Sequence, residues 1–471
     1  MINTSTKKGV LVIKRINEEE ESVTDTREKM DNKSLNREIY AIGIPSFLET
    51  LFTTFASIID SKMVSAMGVT AISAISVTNQ PRLFIFAIFF AFNTVTSSLV
   101  ARYVGRNDRD MANRVLDSVL KIIIPLSILL SILSVFFARP IMIAFANQKD
   151  TLNDSILYFR IIMAGMIFNL LFMAINSALR GCGKTKITFA TNVTSCVVNI
   201  FFNYLLIEGH LGFPRLEIAG AAIATVLGNV AALVLTLWFA FKQDLFVNIP
   251  YCLKKKFKVT RDSVSEIMEL AKSCITDSLA MRISLLLIAA IVARIGSYQM
   301  AVYSIGMHLL NVNMALGMGL QTAGVALVGR SFGADDKNAM KAYQKCILKI
   351  GFCTSVLLAI LIIAGGRWFF GFFSNDDVFI KMGAYSCIFI GVITLSQTMK
   401  FVYSGVLQGI GAMKEVMIAS IVSFAGVNLM TLLIFVLVLH IGIWGVWTST
   451  LLSQTTQALM LLYWTKHRIE K

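Results

Sequence analysis

Three acidic residues, Glu49, Asp60 and Asp277, stand inside long stretches of apolar sequence. In hydrocarbon an ionised carboxylate costs at least about 2.5–3.5 kcal/mol, so each must be protonated, paired or bound to a cation. Reversible uptake of a proton or metal cation by such an acid can couple an ion gradient to the movement of another solute. For Asp60 the alternative is a carboxylate at the membrane interface or a pair with Lys62, but Lys62 is two positions away and points to the opposite helix face. We therefore expect Asp60 to be functional.

Two of these acids share one helix. Glu49 lies eleven residues before Asp60, and eleven steps of about 100° return to nearly the same helix face about 16 Å further along the axis. In a later apolar stretch, Asn199 and Asn203 are four positions apart and therefore also share a face. Hydrogen bonding between helices is the alternative role for these two asparagines.

The elements that must position these residues are membrane helices. The chain has 471 residues, of which 56% are hydrophobic and 15% charged, and its mean hydropathy is +0.70. Apolar runs such as 121–137 suit a bilayer core of about 30 Å, which takes roughly 20 helical residues to cross. They are continuously apolar, whereas the strands of a membrane barrel alternate. The sequence predicts an all-α polytopic membrane protein with about twelve transmembrane helices.

Basic residues predict the orientation of these helices. The net charge is +15, and Lys and Arg cluster in alternate connections, which are cytoplasmic by the positive-inside rule. Both termini are then cytoplasmic. Residues 1–36 are polar and of mixed charge, which predicts a disordered cytoplasmic tail, and residues 242–263 are the longest interior connection, which predicts a cytoplasmic linker between two lobes. No separate basic domain occurs, so nucleic acid is not an expected partner.

The second half of the sequence repeats the first at a constant offset of 228 residues. Gly68 aligns with Gly296, and Glu49 aligns with Asp277. Polar loop residues match as well as apolar ones, since LVARYVGRNDRDMA corresponds to LVGRSFGADDKNAM and ALRGCG to VLQGIG. We therefore predict two pseudo-symmetric six-helix lobes, residues 37–241 and 264–466, that share one orientation and are related by an axis along the membrane normal.

After residue 36, almost the whole chain resembles the MATE (multidrug and toxic compound extrusion) family of the MOP flippase superfamily, and especially its DinF-like prokaryotic branch. The residues that carry the resemblance are IPSFLETLFTTFASIIDSKMVSAMG, INSALRGCGKTK, NIFFNYLLIEG, IAGAAIAT and LVGRSFGAD. The resemblance implies a secondary active antiporter that exports cationic amphipathic drugs and toxic compounds in exchange for Na⁺ or H⁺. Its two lobes are expected to rock in a rocker-switch form of alternating access around a central cavity.

The resemblance also implies roles for individual residues. Asp60, Asn199, Asn203 and Thr225 match the cation-coupling site of the family, and their oxygen atoms would hold Na⁺ if transport is sodium-coupled. Asn203 stands where many relatives of this branch have a second Asp, which leaves the choice between Na⁺ and H⁺ open. Pro45 is expected to bend the first helix, and a static kink is the alternative.

A substrate cavity is expected between the lobes. Glu49 and Asp277 occupy equivalent positions of the repeat, where two acids would attract organic cations. Gln397 and His308 are further candidates for the cavity lining, and hydrogen bonding between helices is the alternative role of His308.

Several basic residues also lie within the predicted membrane helices. The sequence leaves open whether Lys400 and Arg282 pair with Asp277 or contact the substrate. Arg82 either lines the cleft or hydrogen-bonds between helices.

Other functions fit less well. The alternative within the superfamily is a flippase for lipid-linked oligosaccharides, which would favour a strongly cationic cavity, whereas three buried acids occur here. An enzyme is not expected, because the four His form no HxxxxD or HExxH pattern, and the seven Cys include no CxxC pair. We expect no cofactor, a monomer, contacts with organic cations and membrane lipids, and a location in the inner membrane of a prokaryotic cell.

Overall fold

The computed structural model describes the backbone of residues 5–65, 67–145, 151–242, 245–257, 261–373 and 376–470. Side chains are described from residue 34 onward, apart from single positions inside some helices. Across these ranges the chain forms helices joined by short turns, and no strand occurs. The prediction of an all-α protein is confirmed.

The N-terminal half consists of eight helices around one hydrophobic core. Phe89, Phe92 and Phe159 are almost fully buried there, and the same core continues onto Ile267 and Ala271 of the second half. The two halves therefore share part of their packing. In chain order the helices are α1 (Ser5–Ser65), α2 (Val69–Gly105), α3 (Arg109–Phe136), α4 (Ala138–Phe145), α5 (Leu152–Ala164), α6 (Met166–Gly181), α7 (Thr185–Leu206) and α8 (Glu217–Ala240).

The C-terminal half follows a short connecting helix, α9 (Ile249–Lys255). One of its long helices is irregular, because π-helical segments over Ile421–Asn428 and Ile434–Val438 interrupt it. Such segments are frequent at functional sites. The helices of this half are α10 (Arg261–Ile295), α11 (Ser297–Gly333), α12 (Lys337–Phe373), α13 (Asp377–Gly409), α14 (Met413–Ser420), α15 (Leu429–Leu433) and α16 (Ile443–Glu470).

Ten helices in the described part of the chain are long and apolar enough to cross a membrane. Helices α5 and α6 meet at a bend of 46° and form an eleventh span together. The twelfth predicted span corresponds to α16, which has 28 residues but carries many Ser, Thr and Gln side chains. Several of these are buried against the neighbouring helices, including Ser449, Ser453 and Gln457. The polar face of α16 is therefore turned into the lobe, which explains its low overall hydropathy.

The internal repeat is visible in the helix boundaries. Helices α2 and α11 begin at Val69 and Ser297, and α3 and α12 begin at Arg109 and Lys337. Each pair is 228 positions apart, which is the offset found in the sequence. The ends of α6 and α13, at Gly181 and Gly409, and the starts of α7 and α14, at Thr185 and Met413, keep the same spacing. Matching boundaries in four helices of each half support the duplication of one unit.

The connection between the halves is anchored to the N-terminal lobe. Arg109 donates hydrogen bonds to the carbonyl oxygens of Leu245 and Phe246, at 3.0 and 3.1 Å. On α9, the Tyr251 hydroxyl donates to the Asp110 carboxylate, and this bond raises the pKa of the Tyr251 phenol. The described part of the predicted 242–263 linker is thus attached to α3. Its cytoplasmic location stays a prediction.

Helix α1 is assigned from Ser5 and runs through Pro45 without interruption. The helical backbone includes residues 5–36, for which the sequence predicts a disordered tail. The side chains before Ser34 and the backbone of residues 1–4 lie outside the described residues, so the organisation of this segment stays a prediction. Pro45 lies inside the continuous helix, and its role in bending also stays a prediction.

The C-terminal half has a hydrophobic core of its own. The packing of this core can be tested by mutation. Trp447 is fully buried, its indole Nε1 donates to Ser386 Oγ at 3.0 Å, and its ring packs against Tyr303. Trp447→Ala should destabilise the protein by about 3–5 kcal/mol because it leaves a large cavity. The midpoint of thermal unfolding in detergent measures this effect. Trp238→Ala, at a 57% exposed position, is the matched control and should change it little, and equal shifts would contradict the packing.

Candidate ion-coupling site

Asp60 lies close to the end of α1, where two helices of the same lobe present amides and a hydroxyl. Asn203 of α7 donates from Nδ2 to Asp60 Oδ1 at 2.5 Å. One helical turn away, Asn199 Oδ1 lies 3.4 Å from the same Nδ2. Asn199 Nδ2 in turn donates to Thr225 Oγ1 of α8 at 3.2 Å. The four residues that the family resemblance implies for cation coupling therefore form one connected hydrogen-bonded cluster.

The cluster is well inside the protein and holds one unsatisfied acceptor. Asn203 is fully buried, and its Oδ1 atom has no hydrogen-bond partner. A buried carbonyl oxygen without a donor costs about 1–3 kcal/mol. A carboxylic acid proton on Asp60 or a bound cation would satisfy it. The oxygens of Asp60, Asn199, Asn203 and Thr225 are the donor types that a hard cation such as Na⁺ uses, so this set fits such an ion.

Two further residues belong to this site. Tyr158 of α5 is 4% exposed, and its phenol oxygen is hydrogen-bonded to the Thr225 hydroxyl. Arg82 of α2 interacts electrostatically with both Asp60 and Tyr158, without forming an ion pair to Asp60 within 4 Å. The sequence singles out Arg82 as a charge within a membrane helix but does not link it to Asp60. It gives no signal for Tyr158, because a tyrosine in an apolar helix is unremarkable.

The Tyr158 hydroxyl allows a graded test of the site. Tyr158→Phe removes one hydrogen bond to Thr225 and leaves the ring in place. A buried hydrogen bond contributes about 1 kcal/mol, so we expect roughly fivefold slower transport with the ion dependence retained. Initial efflux rates from vesicles measure the change. Tyr303→Phe is the control, since Tyr303 is also buried but lies in the core of the C-terminal half. A larger loss of efflux rate in Tyr303→Phe than in Tyr158→Phe would contradict the assignment.

Glu49 lies deeper in the same lobe and has its own partners. Its carboxylate accepts hydrogen bonds from Thr188 Oγ1 and Asn192 Nδ2, both at 3.0 Å. Arg180 Nη2 lies 3.5 Å from the same carboxylate. Glu49 therefore joins α1 to α6 and α7, and its charge is balanced within the N-terminal lobe.

Asp277 occupies a polar cluster in the C-terminal lobe. Ser420 is hydrogen-bonded to its carboxylate, and the Lys400 ammonium interacts with it electrostatically, again without an ion pair within 4 Å. Lys400 is 8% exposed, and its Nζ lies 4.7 and 5.6 Å from the ring centres of Phe401 and Phe424. Among the described charges, Lys400 and not Arg282 acts on Asp277. No hydrogen bond or ion pair between described residues joins Asp277 to Glu49.

The other two predicted cavity residues lie in different surroundings. Gln397 is 8% exposed, and its Oε1 accepts from Asn313 Nδ2 at 2.7 Å. It therefore links α13 to α11 within the C-terminal lobe. His308 is exposed on α11, the helix that packs against α1 of the other lobe. A contribution of either residue to substrate binding stays a prediction.

Comparison with known proteins identifies the family. The MatE family model matches the chain twice, at residues 45–205 and 274–434. The two matches begin 229 residues apart, within one position of the internal repeat. The chain is 23% identical to the uncharacterized transporter YisQ of Bacillus subtilis over 90% of this chain and 92% of that protein. It is 24% identical to the multidrug export protein MepA of Staphylococcus saprophyticus, over 93% and 96% of the two chains.

Solved structures show the same fold. A crystal structure described as MATE in the bent conformation superposes with a TM-score of 0.85 at 20% sequence identity, covering 93% of this chain and 96% of that one. A structure described as the outward-facing conformation of a multidrug resistance MATE family transporter of the MOP superfamily gives 0.85 at 21% identity, with the same coverage. At this identity the similarity concerns the fold.

Proposed function

Because the chain belongs to the MatE family, we propose that it is a secondary antiporter that exports cationic amphipathic compounds in exchange for protons at Asp60. The observation that carries this proposal is the cluster of Asp60, Asn203, Asn199 and Thr225 inside a membrane-spanning lobe. Relatives over nearly the whole length are named multidrug export proteins, which supports drug export.

The hydrogen bonds of the site favour a proton over Na⁺. The site contains a single carboxylate, and the guanidinium of Arg82 acts on it. Uptake of either cation adds one positive charge, but Na⁺ needs several oxygen ligands, and the Asn199 Oδ1 and Thr225 Oγ1 atoms already accept hydrogen bonds within the cluster. A proton instead needs one acid and a suitable hydrogen-bond acceptor.

The Asn203 amide can serve both states of Asp60. When Asp60 is ionised, Nδ2 donates to the carboxylate, as in the structure. When Asp60 is protonated, rotation of the amide presents Oδ1 as an acceptor for the acid proton. Asn203 can therefore stabilise each protonation state with a different hydrogen bond. Loading and unloading of the site then requires only a local rearrangement of α7.

Coupling follows if the two states of Asp60 favour different arrangements of the lobes. A ligand shifts a conformational equilibrium only by its differential affinity for the two states. We propose that protonation of Asp60 favours the form that releases substrate outside, and that substrate bound from inside favours the form that releases the proton. We propose that Glu49, with its charge shared with Arg180, and Asp277 contact the cationic substrate from opposite lobes.

The membrane orientation is part of the proposal. Lys and Arg cluster near the ends of α2 and α11 and in the connection that contains α9, so this side faces the cytoplasm by the positive-inside rule. Asp60, near the opposite end of α1, then lies towards the outer side.

Transport by the purified protein in lipid vesicles tests the proposed function. Vesicles are loaded with the fluorescent organic cation ethidium, and proton and sodium gradients are imposed separately. We expect ethidium movement against its own gradient only when a proton gradient is present. Movement driven by the sodium gradient alone would overturn proton coupling, and no gradient-driven movement of any tested organic cation would overturn the antiport itself.

A further inference from the structure

Two ion pairs join the lobes at the end of the molecule where α2 and α11 finish. Arg102 of α2 lies 3.7 Å from Glu266 of α10, measured from Nη2 to Oε1. Arg330 of α11 lies 2.8 Å from Glu38 of α1, measured from Nη2 to Oε2. Each arginine therefore reaches the first long helix of the opposite lobe.

The two ion pairs are copies of one another. Arg330 is 228 positions after Arg102, and Glu266 is 228 positions after Glu38. The same contact therefore occurs twice, once in each direction across the boundary between the lobes. We call these two pairs the crossed ion pairs.

Glycines allow the backbones to meet beside the crossed ion pairs. A Cβ atom on Gly105 would lie 1.9 Å from the Arg330 carbonyl oxygen, and one on Gly333 would lie 1.9 Å from the Arg102 carbonyl oxygen. Gly105 and Gly333 are again 228 positions apart. Helices α2 and α11 thus touch one turn beyond each arginine, where any larger residue would separate them.

The two pairs differ in the hydrogen bonds that their charged groups form. Glu38 also accepts a hydrogen bond from the Tyr343 hydroxyl at 2.7 Å, which completes the Arg330 pair. By contrast, Nε and Nη2 of Arg102 are buried without a hydrogen-bond partner. A cavity of about 360 Å³ lies beside this guanidinium, lined by Glu266, Glu269 and Arg468 among others. The Arg330 pair is therefore the tighter one and the Arg102 pair the more easily opened.

We propose that the crossed ion pairs are positioning residues for the transport reaction, which hold the lobes together at this end and thereby keep the cleft closed to the cytoplasm. This inference rests on the proposed function only for the assignment of the cytoplasmic side. The pairs must break whenever the cleft opens towards this end. Since neither pair touches Asp60 or Asp277 in the structure, they act on the lobe equilibrium and not on ion or substrate binding.

A native cysteine reports on this contact without any transport measurement. Cys346 of α12 donates from Sγ to Asn36 Oδ1 of α1 at 2.8 Å, across the same boundary. Opening of the lobes at this end separates the two residues and exposes further the thiol, which is only partly accessible in the structure. The rate at which a membrane-permeant maleimide alkylates Cys346, followed by mass spectrometry of its peptide, therefore measures how often this end opens.

Charge reversal tests the pairs singly and together. Arg330→Glu or Glu38→Arg places like charges opposite each other, and we expect alkylation of Cys346 to become up to about fivefold faster, since an exposed ion pair is worth up to about that factor in an equilibrium constant. The double variant Arg330→Glu with Glu38→Arg restores the pair and should restore the slow rate. Arg102→Glu, Glu266→Arg and their combination should follow the same pattern with a smaller change.

A control at the same end separates this effect from general loosening. Glu415 and Arg468 form an ion pair within the C-terminal lobe, so Glu415→Gln should leave the Cys346 rate unchanged. If a charge reversal lowers the yield of folded protein, the neutral variants Arg330→Gln and Glu38→Gln provide the same comparison.

Unchanged alkylation in the single variants, or no recovery in the double variants, would overturn the proposal. The alkylation result is independent of drug export, because the crossed ion pairs can control the accessibility of the Cys346 thiol even if no substrate is transported. Ethidium efflux in the same variants adds a second readout. We expect slower efflux with unchanged proton dependence, and loss of the proton dependence would place these residues in the coupling site instead and overturn the assignment.

Discussion

Asp60→Asn is expected to reduce efflux driven by a proton gradient strongly while leaving the protein folded. The amide has nearly the same shape as the carboxyl group but cannot take up or release a proton. Coupling free energies of about 1–3 kcal/mol correspond to a roughly 5- to 150-fold change in an equilibrium constant, so the gradient-driven accumulation of ethidium should fall by a factor in that range. Fluorescence of ethidium in vesicles with an imposed proton gradient measures it.

Glu208→Gln is the matched control for this substitution. Glu208 lies two residues after the end of α7, its side chain is 53% exposed, and its carboxylate lies 3.6 Å from His210 Nε2. Loss of this acid should leave proton-driven efflux unchanged. Wild-type efflux by Asp60→Asn, together with wild-type efflux by the control, would remove Asp60 from the coupling step.

Asn203→Asp is expected to convert the site towards sodium. The second carboxylate would lie beside Asp60, at the position from which Asn203 Nδ2 now donates at 2.5 Å. Two carboxylates so close repel each other, and a bound cation relieves the repulsion. With one Arg82 charge nearby, the site would then carry a net negative charge when empty. We expect efflux to become stimulated by an imposed sodium gradient, whereas the wild type does not respond.

The sodium response needs a control for an added buried acid. Asn192 lies on the same helix and donates to Glu49, away from the Asp60 cluster. Asn192→Asp should therefore lower activity or stability without creating sodium dependence. Sodium-stimulated efflux in the wild type, or the same stimulation in both variants, would contradict the preference for a proton proposed for the site.

The fold follows closely from patterns in the sequence. The repeat of 228 residues, read from strings such as LVARYVGRNDRDMA, reappears in the boundaries of α2 and α11 and of α3 and α12. These boundaries are predictable because glycines and polar residues end membrane helices at fixed places in both copies. Three irregular features could not be read in this way, because local backbone geometry depends on tertiary packing: the bend between α5 and α6, the π-helical segments after α14, and the small helix α9.

The site was predictable where residue type and family resemblance agreed. Asp60, Asn199, Asn203 and Thr225 come together as one cluster, although their function stays a proposal. Tyr158 escaped prediction because its hydroxyl gains a polar role only through the packing of α5 against α8. The partners of Glu49 were equally hidden, since Arg180 lies at the end of another helix and meets Glu49 only in three dimensions.

Proton release on substrate binding tests the central claim most directly. Purified protein in lightly buffered detergent solution is titrated with ethidium, and a pH indicator reports the protons released. Because coupling between two ligands is reciprocal, binding of the cation must lower the affinity of Asp60 for its proton if the proton opposes substrate binding. We expect release of up to about one proton per bound cation from the wild type and none from Asp60→Asn at equal ethidium occupancy. Equal release from both proteins, or saturating binding to the wild type without any release, would contradict proton exchange at Asp60.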